Sequence, residues 1–328
     1  MADKVQTMAY FGETPWHGKG KAVDHAMTSA EAIEFAGLNW DVAKVPLYLA
    51  NGVQAPGAWA TQRGDTGATL GIVGDQYEVL QNRDAFQIAD AIVGEKAAMY
   101  HTAGALSDGK RVWMLLKMPG VIRTIGDDVT EKYLLVANGH DGSFAVHVMM
   151  TPVRVVCNNT LNAALGIEFG KQSKKMPNKL TLRHTASLSD KLQVRQVREV
   201  LGLAAKHFDL FEQLSQKLVA TKFDKANLKK FAQATGVIPT EKKEGDSLST
   251  RAQNIMDEIS ALFETGKGTE IPGVKGTAWA AYNAITEFVD HSRGADADAR
   301  ANSLLYGSGA RIKQAAFDQA VELIGARQ

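Results

Sequence analysis

The sequence predicts an α+β protein, with an antiparallel sheet (a β-β-β-α core) followed by a largely helical C-terminal half. The runs "KRVWMLLKM" and "EKYLLVANG" are typical of strands, and "FAVHVMMTPVRVVC" follows the turn "NGHDGS" as the next strand of a hairpin. Amphipathic segments after about residue 188 predict the helices. We therefore expect an α+β core with an N-terminal arm over residues 1–185 and a helical region packing on that core over residues 186–328.

The elements before the core have recognisable ends. The first twenty-five residues show no periodicity and predict an arm. In "TSAEAIEFAGL" a capping box formed by Thr28 and Glu31 opens a short helix that Gly37 closes. The segment "NWDVAKVPLYL" is typical of an extended strand. Further on, a strand leads into a helix for which Asn82 is the expected N-cap.

Residues 105–165 should form the central sheet. The links between its three strand runs are short, and sequential strands with short connections usually pair. A helix is expected from about Asn159, packed across one face of the sheet. Beyond it, "LTLRHT" predicts one more strand. The remaining periodic segments predict a long helix over residues 188–220 and a last helix over "ARIKQAAFDQAVEL".

Composition excludes several classes of protein. The 328 residues are 45% apolar and 22% charged, as in ordinary globular proteins. A single cysteine excludes an intrachain disulfide framework and a multi-cysteine zinc site. No apolar run approaches the about 20 residues of a membrane span, and the N-terminus lacks a signal-peptide core. We therefore expect a cytoplasmic protein that does not contact membranes.

The charge is unevenly distributed. The net charge is +1, but residues 151–235 carry fifteen Lys or Arg against six Asp or Glu, which leaves +9 there and −8 elsewhere. Such asymmetry indicates contact with nucleic acid. The other interpretation is that these side chains form the solvated outer faces of helices.

Signatures of catalysis and of metal binding are missing from the sequence. The segment "GETPWHGKGK" resembles a phosphate-binding P-loop, but its spacing is one residue too long and the sequence predicts no strand before it. None of the eight histidines forms a metal-ligand pair at helical spacing, and Cys157 has no identifiable base. The sequence therefore predicts a protein that is not an enzyme and has no metal or cofactor.

Two stretches combine polar side chains in a pattern with two interpretations. In "TPVRVVCNNTLNAAL", polar residues meet Arg154 where a strand should pass into a helix. They could simply cap that helix, with Arg154 the buried partner of an acid, or they could hold phosphate. In "TAWAAYNAITEFVDH", one helix face carries Trp279, Asn283, Thr286 and Asp290, either as a buried polar seam or as a binding surface. The glycines of "YGSGAR" similarly precede a helix beside Arg311, as a plain turn or an anion site.

Four separated motifs resemble one family. "TPWHGKG", "VRVVCNNTL", "RHT" and "GTAWAAYNAITEFVDHSR" with "YGSGARIKQAA" are similar, in this order, to the phage and plasmid proteins of domain-of-unknown-function family 932. This resemblance implies a mobile-element origin and carries over no catalytic residues.

A second resemblance concerns topology. Strand–strand–strand–helix with a basic surface is similar to the core of RecT and Redβ-type single-strand annealing proteins, which form rings or filaments on DNA. That resemblance implies single-stranded DNA and further copies of the chain as partners. It also implies a DNA groove, which would involve Arg111, Lys132, Arg154, Asn158, Asn159, Lys171, Lys174, Lys175 and Arg183.

The leading hypothesis is an oligomeric single-stranded-DNA-binding protein that promotes annealing in homologous recombination and works without a metal, nucleophile or nucleotide. One alternative is a phage structural or host-interaction protein that does not bind nucleic acid. Another is an enzyme of nucleic-acid metabolism whose site assembles from Trp16, His17, Asn283, Asp290 and His291.

Overall fold

A computed structural model describes most of the chain. The described residues are 5–11, 21–25, 27–94, 97–143, 145–154, 159–160, 179–182, 194–240, 248–293, 303 and 307–325. None of the helices within these ranges combines the length and the apolar character that crossing a membrane requires.

Eleven strands are described in these ranges. They are β1 (Val5–Phe11), β2 (Lys21–Val23), β3 (Val42–Tyr48), β4 (Gln54–Arg63), β5 (Thr69–Val73), β6 (Met99–Leu106), β7 (Arg111–Ile125), β8 (Asp128–Gly139), β9 (Val146–Arg154), β10 (Asn159–Thr160) and β11 (Lys179–Leu182). The main sheet has the order β10-β9-β8-β7-β6-β1-β2, with β11 paired to β9, and β3-β4-β5 form a second sheet.

The predicted central strands lie side by side. β7, β8 and β9 are neighbours in the main sheet. Their connecting segments are too short for a parallel crossover, so consecutive strands run antiparallel. β6 also pairs antiparallel with β7, from Met99 opposite Lys117 to Leu106 opposite Arg111. The predicted strand in "LTLRHT" is confirmed as β11, which pairs antiparallel with β9.

The helices are concentrated in the second half of the chain. They are α1 (Ser29–Phe35), α2 (Asn82–Gly94), α3 (Val194–Ala220), α4 (Leu228–Ala234), α5 (Thr250–Thr265), α6 (Ala278–Glu287) and α7 (Ser308–Leu323), and a π-helical turn (Phe288–Ser292) continues α6. This arrangement confirms the predicted α+β class.

The predicted start of α1 is confirmed in atomic detail. The Thr28 hydroxyl accepts a hydrogen bond from the backbone N–H of Glu31 at 3.3 Å. The Glu31 carboxylate accepts one from the backbone N–H of Thr28 at 2.8 Å. Gly37 follows the helix with a φ of 62°, the left-handed conformation in which glycine is least strained.

The N-cap role predicted for Asn82 and the helix predicted from Asn159 are both wrong. Asn82 does not cap α2 from outside but is its first residue, and its side-chain amide donates to the Leu38 carbonyl. Asn159 and Thr160 do not begin a helix. They form β10, opposite Arg154 and Val153 of β9. The rest of that predicted helix, from residue 161, lies outside the described residues.

The chain divides into two compact units, each built from separate stretches of sequence. Unit 1 comprises residues 1–119, 133–150 and 179–204, and unit 2 comprises residues 120–132, 151–178 and 205–328. The sequence instead predicted one boundary after residue 185. The two units alternate along the sequence, and the ranges of β7, β8 and β9 each include residues of both.

Trp40 and Arg63 pack against each other in unit 1. The Arg63 guanidinium lies 4.4 Å from the centre of the Trp40 ring, and Arg63 also pairs with Asp65 at 2.7 Å. Gly109 has a φ of 94°, and a Cβ there would lie 2.9 Å from Trp40. The side chain of His140 is held by the Oδ1 atom of Asn82, at 2.9 Å.

Aromatic side chains form the core of unit 2. The Phe211 ring stacks on Phe317 with the ring centres 5.6 Å apart, and Phe317 meets Tyr282 edge-on at 5.5 Å. Trp279 contacts both Phe211 and Tyr282. All ten residues of α6 are buried, so this helix forms the centre of the unit.

Candidate nucleic-acid interface

The residues predicted to bind DNA are divided between the two units, and several of them lie outside the described ranges. Arg111, at the start of β7, is half-buried in unit 1, and Lys132 of β8 is half-buried in unit 2. The Lys132 ammonium lies 5.9 Å from the centre of the Phe208 ring. Asn159 lies in β10. The other predicted residues apart from Arg154 lie outside the described ranges: Asn158, Lys171, Lys174, Lys175 and Arg183.

Arg154 is buried, not presented to a ligand. Its side chain is 1% exposed and forms a two-pronged ion pair with Asp128, which is 0% exposed. Nε donates to Oδ1 at 2.7 Å, and Nη2 donates to Oδ2 at 2.6 Å. The structure therefore matches the alternative in which Arg154 is the buried partner of an acid, and the assignment of Arg154 to a phosphate contact is wrong.

Two further groups form hydrogen bonds with this ion pair. The indole N–H of Trp279 donates to Oδ2 of Asp128 at 2.8 Å. Nη1 of Arg154 donates to the Lys267 carbonyl at 3.1 Å. A buried charge pair is tolerated when hydrogen bonds satisfy its remaining donors and acceptors, and these contacts do so. The Asp128–Arg154–Trp279 cluster thus ties β8 and β9 to α6 inside unit 2.

The polar stripe on α6 is a buried seam, as one of the two interpretations predicted. The Asn283 side chain donates to the Trp279 carbonyl at 2.8 Å, and the Thr286 hydroxyl donates to the Asn283 carbonyl at 3.0 Å. Asp290, 2% exposed, pairs at 2.8 Å with Lys313 of α7, which is 0% exposed. Burial lowers the pKa of Lys313 more than the carboxylate of Asp290 raises it.

Glu287 adds a further buried carboxyl at the end of α6. Burial raises its pKa above the ordinary value, although the backbone N–H of Lys267 and the nearby His291 act in the opposite direction. Of the residues considered for an enzyme, Asp290 is engaged by Lys313 and Asn283 is buried, while Trp16 and His17 lie outside the described ranges. Across the described parts of the chain, no group of three or more His, Cys, Asp or Glu could hold a metal ion.

Exposed lysines are concentrated from the middle of α3 to α4. Residues 205–235 contain six lysines and three acids. All six lysines are exposed: Lys206, Lys217, Lys222, Lys225, Lys229 and Lys230. We call them the lysine surface of unit 2. Sequence reasoning counted these residues in the basic region but placed the DNA groove elsewhere by topology, although their local density was visible in the sequence.

A family comparison matches most of the chain. The sequence model of the Domain of unknown function (DUF932) matches residues 69–321. The chain belongs to the DUF932 family. This match confirms the family resemblance, although the motif "TPWHGKG" lies before the matched range. The range spans strands β5 to β11, helices α2 to α6 and most of α7. Comparison of this DUF932 protein with curated proteins and with solved structures gives no match.

Proposed function

We propose that this protein is a homo-oligomeric single-stranded-DNA-binding protein, encoded by a phage or plasmid, that promotes strand annealing in homologous recombination. The observation that carries the proposal is the exposure of the lysine surface within the most basic part of the chain. Annealing requires a protein to hold the sugar–phosphate backbone without reading its sequence. Lysine ammonium groups do so through charge alone.

One lysine of this surface, Lys225, shows how a phosphate group of DNA could replace an internal partner. The Lys225 side chain is 55% exposed even though it pairs with Glu264 at 3.2 Å. An exposed ion pair of this kind contributes little to stability, so a phosphate group can displace the carboxylate at small cost. Because long lysine side chains adapt to different backbone geometries, the same surface can accept unrelated sequences.

The buried ion pair has a supporting role in this proposal. Arg154 and Asp128 fix the ends of β8 and β9 against α6, whereas DNA contact falls to side chains that reach solvent. Loss of Arg154 should therefore affect folding before it affects binding. That order of effects is the reverse of what a phosphate contact would produce.

A paired substitution experiment tests the proposal. In Lys222→Gln/Lys230→Gln, two exposed positive charges are removed from the lysine surface. The slope of log affinity against log salt on single-stranded DNA should flatten by about 1.4, since each lost contact contributes about 0.7. The loss should be similar for unrelated sequences.

The matched control removes two exposed cations from unit 1, Lys21 and Arg83, each replaced by Gln. It carries the same change in net charge and should keep the wild-type slope. Equal slopes for the wild type and the Lys222→Gln/Lys230→Gln variant would show that the lysine surface does not contact DNA. If the wild type causes no electrophoretic shift of single-stranded DNA at low salt, nucleic-acid binding itself would be rejected.

A further inference from the structure

Three arginines of unit 2 come from three separate elements that pack together. Arg251 is the second residue of α5, Arg293 directly follows the π-helical turn, and Arg311 is the fourth residue of α7. Both α5 and α7 contact the π-helical turn. We call Arg251, Arg293 and Arg311 the arginine cluster.

Arg293 lies close enough to the other two arginines for their charges to act on it. Burial lowers the pKa of Arg293, and the positive charges of Arg251 and Arg311 lower it further. The Nη1 atom of Arg293 is buried and has no hydrogen-bond partner within the described residues. Leaving a buried donor without a partner is costly, and the cost is larger for a charged group. The buried Nη1 of Arg293 therefore raises the free energy of the fold unless an acceptor binds it.

The described residues provide no ion-pair partner for the arginine cluster. The ion pairs described in unit 2 are Arg154 with Asp128, Lys313 with Asp290, and Lys225 and Lys275 with Glu264. In the described ranges, none of the three guanidinium groups of the arginine cluster forms an ion pair or a hydrogen bond. Arginine stays charged at any physiological pH, so three positive charges lie there without an ion pair among the described residues.

The helix ends add to this positive potential. The N-terminus of a helix carries a partial positive charge, which favours acidic residues in the first turn and disfavours basic ones. Neither α5 nor α7 has an acid in its first turn. Arg251 and Arg311 instead add positive charge at the start of α5 and α7, which is unfavourable for helix stability. An anion that binds there would relieve this repulsion.

We propose that the arginine cluster is a binding site for a phosphate group. The planar guanidinium fork matches phosphate oxygens in pairs of hydrogen bonds, and three forks from three elements can surround a tetrahedral anion. A phosphate group also offers more acceptor oxygens than a carboxylate, and the buried Nη1 of Arg293 needs such an acceptor. The site does not depend on the proposed annealing function, because the phosphate could come from a free nucleotide or from a DNA backbone.

Inorganic phosphate is the direct probe. Titration calorimetry of the full chain, in chloride buffer of matched ionic strength, should show phosphate binding to the wild type. Arg251→Gln and Arg311→Gln should each weaken it by about tenfold or more, the loss expected for one charge-assisted hydrogen bond. Both side chains are exposed, so both variants should fold. Arg123→Gln removes an exposed arginine elsewhere in unit 2 and should bind phosphate as the wild type does.

Thermal melting is a second measurement, which distinguishes a phosphate-binding site from a basic surface that does not bind phosphate. Without phosphate, Arg251→Gln and Arg311→Gln should melt at or above the wild-type temperature, because removing one of several like charges relieves repulsion. With phosphate, the wild type should gain stability through ligand binding, and the variants should gain less. No phosphate binding by the wild type, or equal binding by wild type and Arg311→Gln, would overturn the proposal.

Competition identifies the source of the phosphate group. Displacement of inorganic phosphate by a single-stranded oligonucleotide assigns the site to a DNA backbone, and displacement by a nucleoside triphosphate alone assigns it to free nucleotide. Either result supports the site. Because the primary readout uses inorganic phosphate, the site can be upheld even where the lysine surface fails its own DNA-binding test.

Discussion

Replacing Arg154 by Met should destabilise the fold strongly. Met keeps much of the length of the side chain but removes the two hydrogen bonds to Asp128, at 2.7 and 2.6 Å, and the bond to the Lys267 carbonyl. Asp128 is 0% exposed, so its carboxylate would keep only the N–H of Trp279 as a described donor. Breaking a buried pair from one side typically costs about 3–5 kcal/mol. At about 2–4 °C per kcal/mol, Tm should fall by roughly 6–20 °C.

Chemical denaturation followed by tryptophan fluorescence measures this loss, and the double variant Arg154→Met/Asp128→Asn is the control. The asparagine can still accept from Trp279 but carries no charge, so the double variant should be more stable than Arg154→Met alone by about 1–3 kcal/mol. Under conditions where Arg154→Met stays folded, its salt dependence of DNA binding should equal that of the wild type. An unfolding free energy within about 0.5 kcal/mol of the wild type, or a flatter salt slope, would refute the structural role.

Three further substitutions test other parts of the fold by the same denaturation assay. Lys313→Met leaves the buried carboxylate of Asp290 without its cation and should cost about 3–5 kcal/mol; a loss below 1 kcal/mol would contradict this. Burial lowers the pKa of His207 from 6.5 to about 4, so stability should fall by up to about 3 kcal/mol as pH drops through this interval. His207→Leu should show a flatter pH dependence, and parallel curves would exclude this origin. Thr28→Ala removes the cap hydrogen bond to Glu31 and should cost about 1 kcal/mol, whereas an unchanged unfolding curve would reject the capping role.

Local signals in the sequence predicted much of the secondary structure. The capping box of α1 involves two residues that are three positions apart. Strands β7, β8 and β9 were predicted from their composition and from the short turns between them. These signals act within a few residues, so they can be found without knowing what packs on them. The prediction failed at Asn159, where pairing with β9 sets the local conformation and polar residues resemble helix caps.

Non-local contacts determined the rest. Arg154 meets Asp128 across 26 positions of sequence, and Asp128 meets Trp279 across 151 positions. Nothing in "TPVRVVCNNTL" identifies these partners, so burial and phosphate binding remained equal alternatives for that stretch. The arginine cluster shows the same limit. Arg311 in "YGSGAR" was recognisable as an anion-site candidate, but its neighbours Arg251 and Arg293 come from other elements.

The size of the particle with and without DNA tests the proposed function most directly. Light scattering on the wild type, combined with an electrophoretic shift at low and moderate salt, reports assembly and binding on one preparation. An oligomeric annealing protein should form particles larger than a dimer with single-stranded oligonucleotide, and its log affinity should fall linearly with log salt. A particle that stays near 35.4 kDa with and without oligonucleotide, and no retarded band at low salt, would contradict both the assembly and the DNA binding.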